Sequence, residues 1–182
     1  MNYANEFSEI LVILQDNLEL KQRVLTLIKE KPIFGKSIKG DSRVEEFRKI
    51  LGELVNGNIN SLEISYTEVE SRLPRSQSIY VSDNRVFASG WAERLVRTHL
   101  SRFYNQSVLE ELDEGGEEEC FIPSSSSSNL SPRCTIIQNK NYKVKELLQN
   151  LIINYDLEQY DGSIKVPEHP YCSHVVKPLE DN

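Results

Sequence analysis

Two groups of side chains in this 182-residue chain are of a type and spacing that could do chemistry. One is a block of arginines: Arg72, Arg75, Arg85, Arg94, Arg97 and Arg102 are six of the chain's ten, and no lysine occurs between Lys49 and Lys140. Ordinary solubilising surface mixes the two cations, whereas a guanidinium offers a planar fork of donors matched to phosphate and carboxylate. Residues 71–104 set these six against only Asp83 and Glu93, a net of +4, so the rest of the −7 chain sums to −11. Seven acids and no base follow at once in LEELDEGGEEE, 109–119. A basic block beside an acidic one reads as a binding surface. It reads equally as a chain neutralising its own acids, and the 109–119 run is the named competitor for the guanidinium groups.

The other group could hold a metal ion. His169-Pro170-Tyr171-Cys172-Ser173-His174 offers three ligands in six residues, and Cys120 and Cys134 could complete a tetrahedral set. Zinc takes four nitrogen or sulfur ligands in such a geometry. The spacing, C-x13-C followed by H-x2-C-x-H, contains no C-x2-C pair and matches no zinc-finger pattern. No cofactor is required on this reading, and zinc is the one candidate. The competing expectation is buried thiols and surface histidines. Catalysis has thinner support. Neighbouring Cys and His rarely form a nucleophile pair, and His99 falls toward the packed side of its helix. GKSIKG, 35–40, resembles a phosphate-binding loop, but a Walker A motif needs a glycine at position 30, where the chain has Glu30. The expectation is a non-enzymatic protein.

The elements that must position these residues are mostly helical. Apolar spacing predicts helices within the first 30 residues, with Asp16-Asn17 capping a second one. A capping box at Ser42-Arg43-Val44-Glu45 and a C-terminal cap at Gly57 bracket the stripe Val44, Phe47, Ile50, Leu51, Leu54 and Val55. A shorter helix is expected at 67–73. SIYV and RVFA, 78–88, read as a β-hairpin with a three-residue turn. Ser89 then caps an arginine-rich helix, 89–112. On its wheel Arg94, Arg97, Thr98, Ser101, Arg102 and Asn105 share a polar face opposite Leu95, Ala92, Phe103, Val96 and Leu100.

CFIP and CTIIQ read as short strands around a mobile serine-rich loop, 123–131, since polyserine buries little apolar surface. An amphipathic helix, 143–155, and an irregular tail complete the chain. The fold class is therefore α+β: a mainly helical domain, 1–115, with a small β-hairpin, and a C-terminal subdomain, 116–182, with short strands, the two halves forming one continuous domain as the alternative.

Function follows from the arginines. Arg72, Arg75, Arg85, Arg94, Arg97, Thr98, Ser101, Arg102 and Asn105 are the residue types that contact phosphates and base edges. They make nucleic acid the expected partner, DNA rather than RNA. The alternative is an adaptor or regulatory subunit that docks an acidic or basic protein. No apolar run approaches the roughly 18–20 residues of a membrane span, the N-terminus does not read as a secretory signal, and three cysteines make no disulfide framework. The expected setting is the cytoplasm.

Overall fold

A computed structural model describes residues 3–127 and 130–179; Ser128 and Asn129 of the expected serine-rich loop, and the end of the expected tail, lie outside these. Among the described residues seven α-helices run in the order α1 (Ile10–Asp16), α2 (Leu18–Glu30), α3 (Asp41–Asn56), α4 (Leu62–Arg72), α5 (Trp91–Glu114), α6 (Pro132–Ile137) and α7 (Val144–Leu151). Three short strands, β1 (Glu119–Ile122), β2 (Lys140–Lys143) and β3 (Lys177–Pro178), form an antiparallel sheet in the order β2-β1-β3. The chain is α+β and mainly helical. One cluster of buried apolar side chains extends from Ala4 to Val176 and draws on both halves.

Local signals explain most boundaries. Asn17 closes α1 and starts α2 by accepting from the Leu20 amide at 3.0 Å. Gly57, at φ 81°, ends α3 in the left-handed conformation that a side chain would resist. The capping box at Ser42 does not form: α3 starts two residues earlier, at Asp41, with Gly40 in the cap position. α4 starts at Leu62, before the expected 67, because the Ser61 hydroxyl accepts from the Ile64 amide at 3.3 Å. CTIIQ is not a strand. Ser131 caps the Cys134 amide and Pro132 occupies the first turn, so start signals for α6 prevail over β-branched residues. Residues 78–88 make successive turns in place of the hairpin, and Gly90, not Ser89, precedes α5. Asp83 governs that segment: its carboxylate accepts from the amides of Arg85 and Val86, at 2.9 and 3.4 Å, which curls the chain where a two-strand ladder would need it extended.

The centre of the molecule is α5, against which α2, α4 and α7 all pack. Every residue from His99 to Leu109 is buried, so the expected division into packed and polar faces does not hold. The polar residues are instead used to hold irregular backbone. Asn105 donates to the Ser101 carbonyl and accepts from the Val176 amide at 2.7 Å, fixing the tail that leads into β3. Tyr104 accepts from the Ala4 amide at 2.8 Å, fixing the N-terminal segment. His99 donates from Nε2 to the Phe34 carbonyl at 3.1 Å. Burial first, and then the Arg102 charge, push its pKa down to about 3, so the ring is a neutral core histidine.

Arg102 is the largest fully buried side chain. Its guanidinium donates to the Pro32 carbonyl at 3.0 Å and to Asp156 Oδ1 at 2.7 Å, and it lies over the rings of Phe103, Phe34 and Tyr155. Burial lowers its pKa to about 10 against the opposing pull of Asp156. Asp156 arrives on a π-helical turn, Ile152–Asp156, that continues α7 with a wider pitch. Lys31 meets the other Asp156 oxygen at 3.1 Å.

Removing one partner of such a pair strands a charge, while removing both does not. Asp156→Ala should therefore destabilise the protein by about 3–5 kcal/mol in urea unfolding, and Arg102→Met with Asp156→Leu should recover most of that loss. If the single variant unfolds at the wild-type midpoint, the pair does not carry the load assigned to it.

Candidate nucleic-acid interface and a cysteine–histidine cluster

The six arginines do not converge on one exposed face. Arg102, Ser101 and Asn105 are enclosed inside the molecule, where no phosphate reaches them, because their polar atoms hold the loops just described. Arg72 sits in a three-carboxylate network with Glu53 and Glu46, each at 2.6 Å, and Glu68 at 3.6 Å. The neutralising role weighed from the sequence thus holds for Arg72 and Arg102, although neither pairs with the 109–119 run. The acidic run 109–119 engages Arg23 through Glu114 at 2.7 Å and Lys145 through Asp113 at 3.9 Å. Arg97 lies over the Phe7 ring at 4.2 Å and reaches the Pro170 carbonyl at 3.4 Å. Arg75 is fixed to the Val81 carbonyl and Asn84, with its guanidinium over Phe87.

Arg85 and Arg94 remain, and they share a cavity. The Arg85 side chain is 95% exposed, with Asp83 at 3.8 Å. Arg94 is steadied by the carbonyls of Ser89 and Ala88, at 2.7 and 3.3 Å. Both line a hollow of about 230 Å³ with Phe34, Trp91 and Thr98, the Thr98 hydroxyl being turned back onto the Arg94 carbonyl at 2.7 Å. A second hollow of about 430 Å³ shares Ser37, Arg85 and Val86 with the first and adds Lys36. A third, of about 470 Å³, takes in Lys36 again with Lys39, Tyr80 and Tyr160. Together they trace a groove between the 33–41 loop and the 80–94 segment.

Its cations are Arg94, Arg85, Lys36 and Lys39, and its acids are Asp83, Asp41 and Glu158. Asp83 is held below the usual carboxylate range by the Arg85 amide. Sequence reasoning missed Lys36 and Lys39. The signal was GKSIKG, a glycine-flanked basic loop set aside once it failed as a nucleotide-binding motif.

The cysteine–histidine group assembles in part. Cys134, at the start of α6, lies 3.8 Å from Cys172, sulfur to sulfur, and Cys172 lies 3.7 Å from His174 Nδ1. All three are buried, with ligand atoms within 4.8 Å of one another. His169 is half-exposed and brings Nε2 to 3.2 Å from the Cys134 sulfur. The Cys172 thiol, the Ser131 hydroxyl and the His169 ring hold Cys134 well below the ordinary thiol range, while Cys134 and burial push Cys172 above it.

Cys120 does not join them. It sits on the core face of β1 against the Tyr142 carbonyl at 3.5 Å, and burial pushes its pKa up to about 12. α6 is strapped to the tail by Arg133, which bonds the nearly buried Glu168 carboxylate at 2.9 Å, a pairing nothing in the sequence singled out. The described part of the serine loop is tethered as well: Ser125 meets the Ser173 hydroxyl at 2.7 Å and Ser126 donates to Glu6 at 2.6 Å.

Compared with known proteins, the chain matches no family model, no curated protein and no solved structure, so its sites are read from their own chemistry.

Proposed function

We propose that this protein is a non-catalytic module that binds single-stranded nucleic acid along the groove between the 33–41 loop and the start of α5. The observation that carries the reading is the set of groups lining these adjoining hollows: the cations Arg94, Arg85, Lys36 and Lys39, with the rings of Trp91, Tyr80 and Tyr160 among them. Cations that track a sugar–phosphate backbone, together with ring faces on which bases stack, are what single strands require. A duplex fits less well, because Ser101, Arg102 and Asn105, half of the helical face that would have entered a groove of DNA, are buried. The net acidity of the rest of the chain suppresses loose polyanion binding and leaves contact to this local patch. We place the protein in the cytoplasm, a reducing setting suited to its three free cysteines.

A protein partner is the second reading. It is favoured by Ile79, 72% exposed on the turn that precedes Tyr80 and the groove. No helix among the described residues is long and apolar enough to cross a membrane.

Fluorescence anisotropy with labelled oligo-dT and oligo-rU across a salt series tests the proposal. Single strands lose roughly 0.7 of a log unit in affinity per log unit of salt for each phosphate engaged, so three or four contacts give a slope of about −2 to −3. Lys36→Glu with Arg85→Glu should weaken binding at least tenfold, about 1.4 kcal/mol. Arg72→Ala, which lies in an ion-pair network away from the groove, should leave affinity unchanged. Equal binding by the double charge reversal sinks the groove. Retention of a protein partner from nuclease-treated lysate, lost on Ile79→Asp, would favour the second reading.

A further inference from the structure

We infer that Cys134, Cys172, His174 and His169 form a structural zinc site that fastens the C-terminal tail to α6. This stands apart from the groove and from nucleic-acid binding. The distances carry it. Tetrahedral zinc, with bonds of about 2.3 Å to sulfur and 2.0–2.1 Å to nitrogen, sets its ligand atoms about 3.8 Å apart for two sulfurs and about 3.5 Å apart for sulfur and nitrogen. The two cysteine sulfurs are 3.8 Å apart, and two of the four sulfur–nitrogen separations are 3.2 and 3.7 Å; Cys134, Cys172 and His174 form the preassembled group, and His169 approaches it from the Cys134 side. Two sulfurs held at that spacing, beyond any disulfide length, are spaced as neighbours on one ion.

Hydrogen bonds around the cluster prepare it. The Gln138 side-chain oxygen lies 3.0 Å from His174 Nε2 and also accepts from the Ser125 amide, at 3.3 Å. An oxygen so placed takes the Nε2 proton and leaves the His174 Nδ1 lone pair on the side of Cys172. That outer contact is what orients a metal-bound imidazole. His169 is the less prepared ligand. The Tyr171 amide donates to its Nδ1 at 3.2 Å, which puts the ring proton on Nε2, facing the Cys134 sulfur. Coordination through Nε2 needs that proton to leave and the Tyr171 contact to be given up. His169 is therefore the weakest of the four ligands, and it lies on the solvent side.

The surrounding fold shows what the ion does. Residues 157–176 contain no helix or strand, yet Val166, Cys172, His174, Val175 and Val176 are buried. A stretch with no ladder of its own needs cross-links. Arg133–Glu168 supplies one from α6, and Tyr155, whose hydroxyl donates to the Pro167 carbonyl at 2.6 Å, supplies one from the π-helical turn. The Cys–His cluster is the third and draws all its tail ligands from H-x2-C-x-H. Two thiolates and two neutral imidazoles cancel the charge of Zn²⁺, so the closed site adds no net charge to the interior.

The test is zinc titration of the full-length, reduced protein against a chromophoric chelator, with elemental analysis after dialysis. One zinc per chain is expected, together with a fall in melting temperature when a strong chelator removes it. Cobalt should give thiolate-to-metal charge transfer and tetrahedral d–d bands, with the charge-transfer intensity halved in Cys134→Ser or Cys172→Ser. Cys120→Ser should bind like the wild type, His174→Ala should lose at least a hundredfold in affinity, and His169→Ala less. A cysteine variant that fails to fold leaves the wild-type titration and the Cys120→Ser control to decide. Less than a tenth of a zinc bound by folded, reduced wild type overturns the site. So does ready formation of a Cys134–Cys172 disulfide with no metal uptake, which would make the pair a redox dithiol, or a Cys120→Ser loss equal to that of Cys134→Ser.

Discussion

A guanidinium held out of water is the constraint on which the rest of this structure depends. Arg102 occupies the middle of the most enclosed helix, and an unpaired cation there would take away a large share of a small domain's margin of stability. The fold answers with a carboxylate from the far end of α7, a carbonyl from the loop after α2, and three ring faces. Each answer fixes a different piece of chain. The π-helical turn is the clearest instance, since its altered pitch carries Asp156, where the guanidinium needs it. α5 thus works as a polar spindle, with Asn105 and Tyr104 doing for the tail and the N-terminal segment what Arg102 does for the 31–35 loop.

Much of the helical framework was legible because its signals are local. The Asn17 cap, the α3 stripe and the Gly57 terminator act within a few residues of one another, so spacing alone reveals them. The polar face of α5 misled for the opposite reason. A helical wheel tells which residues point together, but not what packs against them. Arg102 and Asn105 are satisfied by Asp156 and the Val176 amide, partners that no window of sequence connects, while the Ser101 hydroxyl accepts from Asn105 one turn along the same helix. The 78–88 segment failed as a hairpin because one side chain, Asp83, outweighed the alternation of apolar residues around it.

The candidate sites divide in the same way. Three of the four proposed metal ligands are close in sequence and were visible as H-x2-C-x-H. Cys120 and Cys134 were both named to complete the set; α6 brings Cys134 to Cys172 and His174, whereas β1 holds Cys120 elsewhere, against the Tyr142 carbonyl. The groove was half visible: Arg85 and Arg94 were counted, but Lys36 and Lys39 are supplied by a loop some fifty residues earlier. Arg97 connects the regions physically, lying over Phe7 at 4.2 Å and Tyr171 at 5.7 Å, one residue from Cys172 and one turn of α5 from Arg94.

The closing contacts of α5 also impose an order on folding. Its Tyr104 partner, Ala4, is made 100 residues earlier, while its Asn105 partner, Val176, is made 71 residues later. During synthesis the helix therefore leaves the ribosome with its N-terminal pin available but with Asp156 and Val176 still unmade. Pairings this distant are slow to close, since loop entropy is lost before the contact rewards it. A nascent chain halted anywhere before residue 156 would hold Arg102 without its counter-ion, and so could not bury the one helix around which everything else is wound.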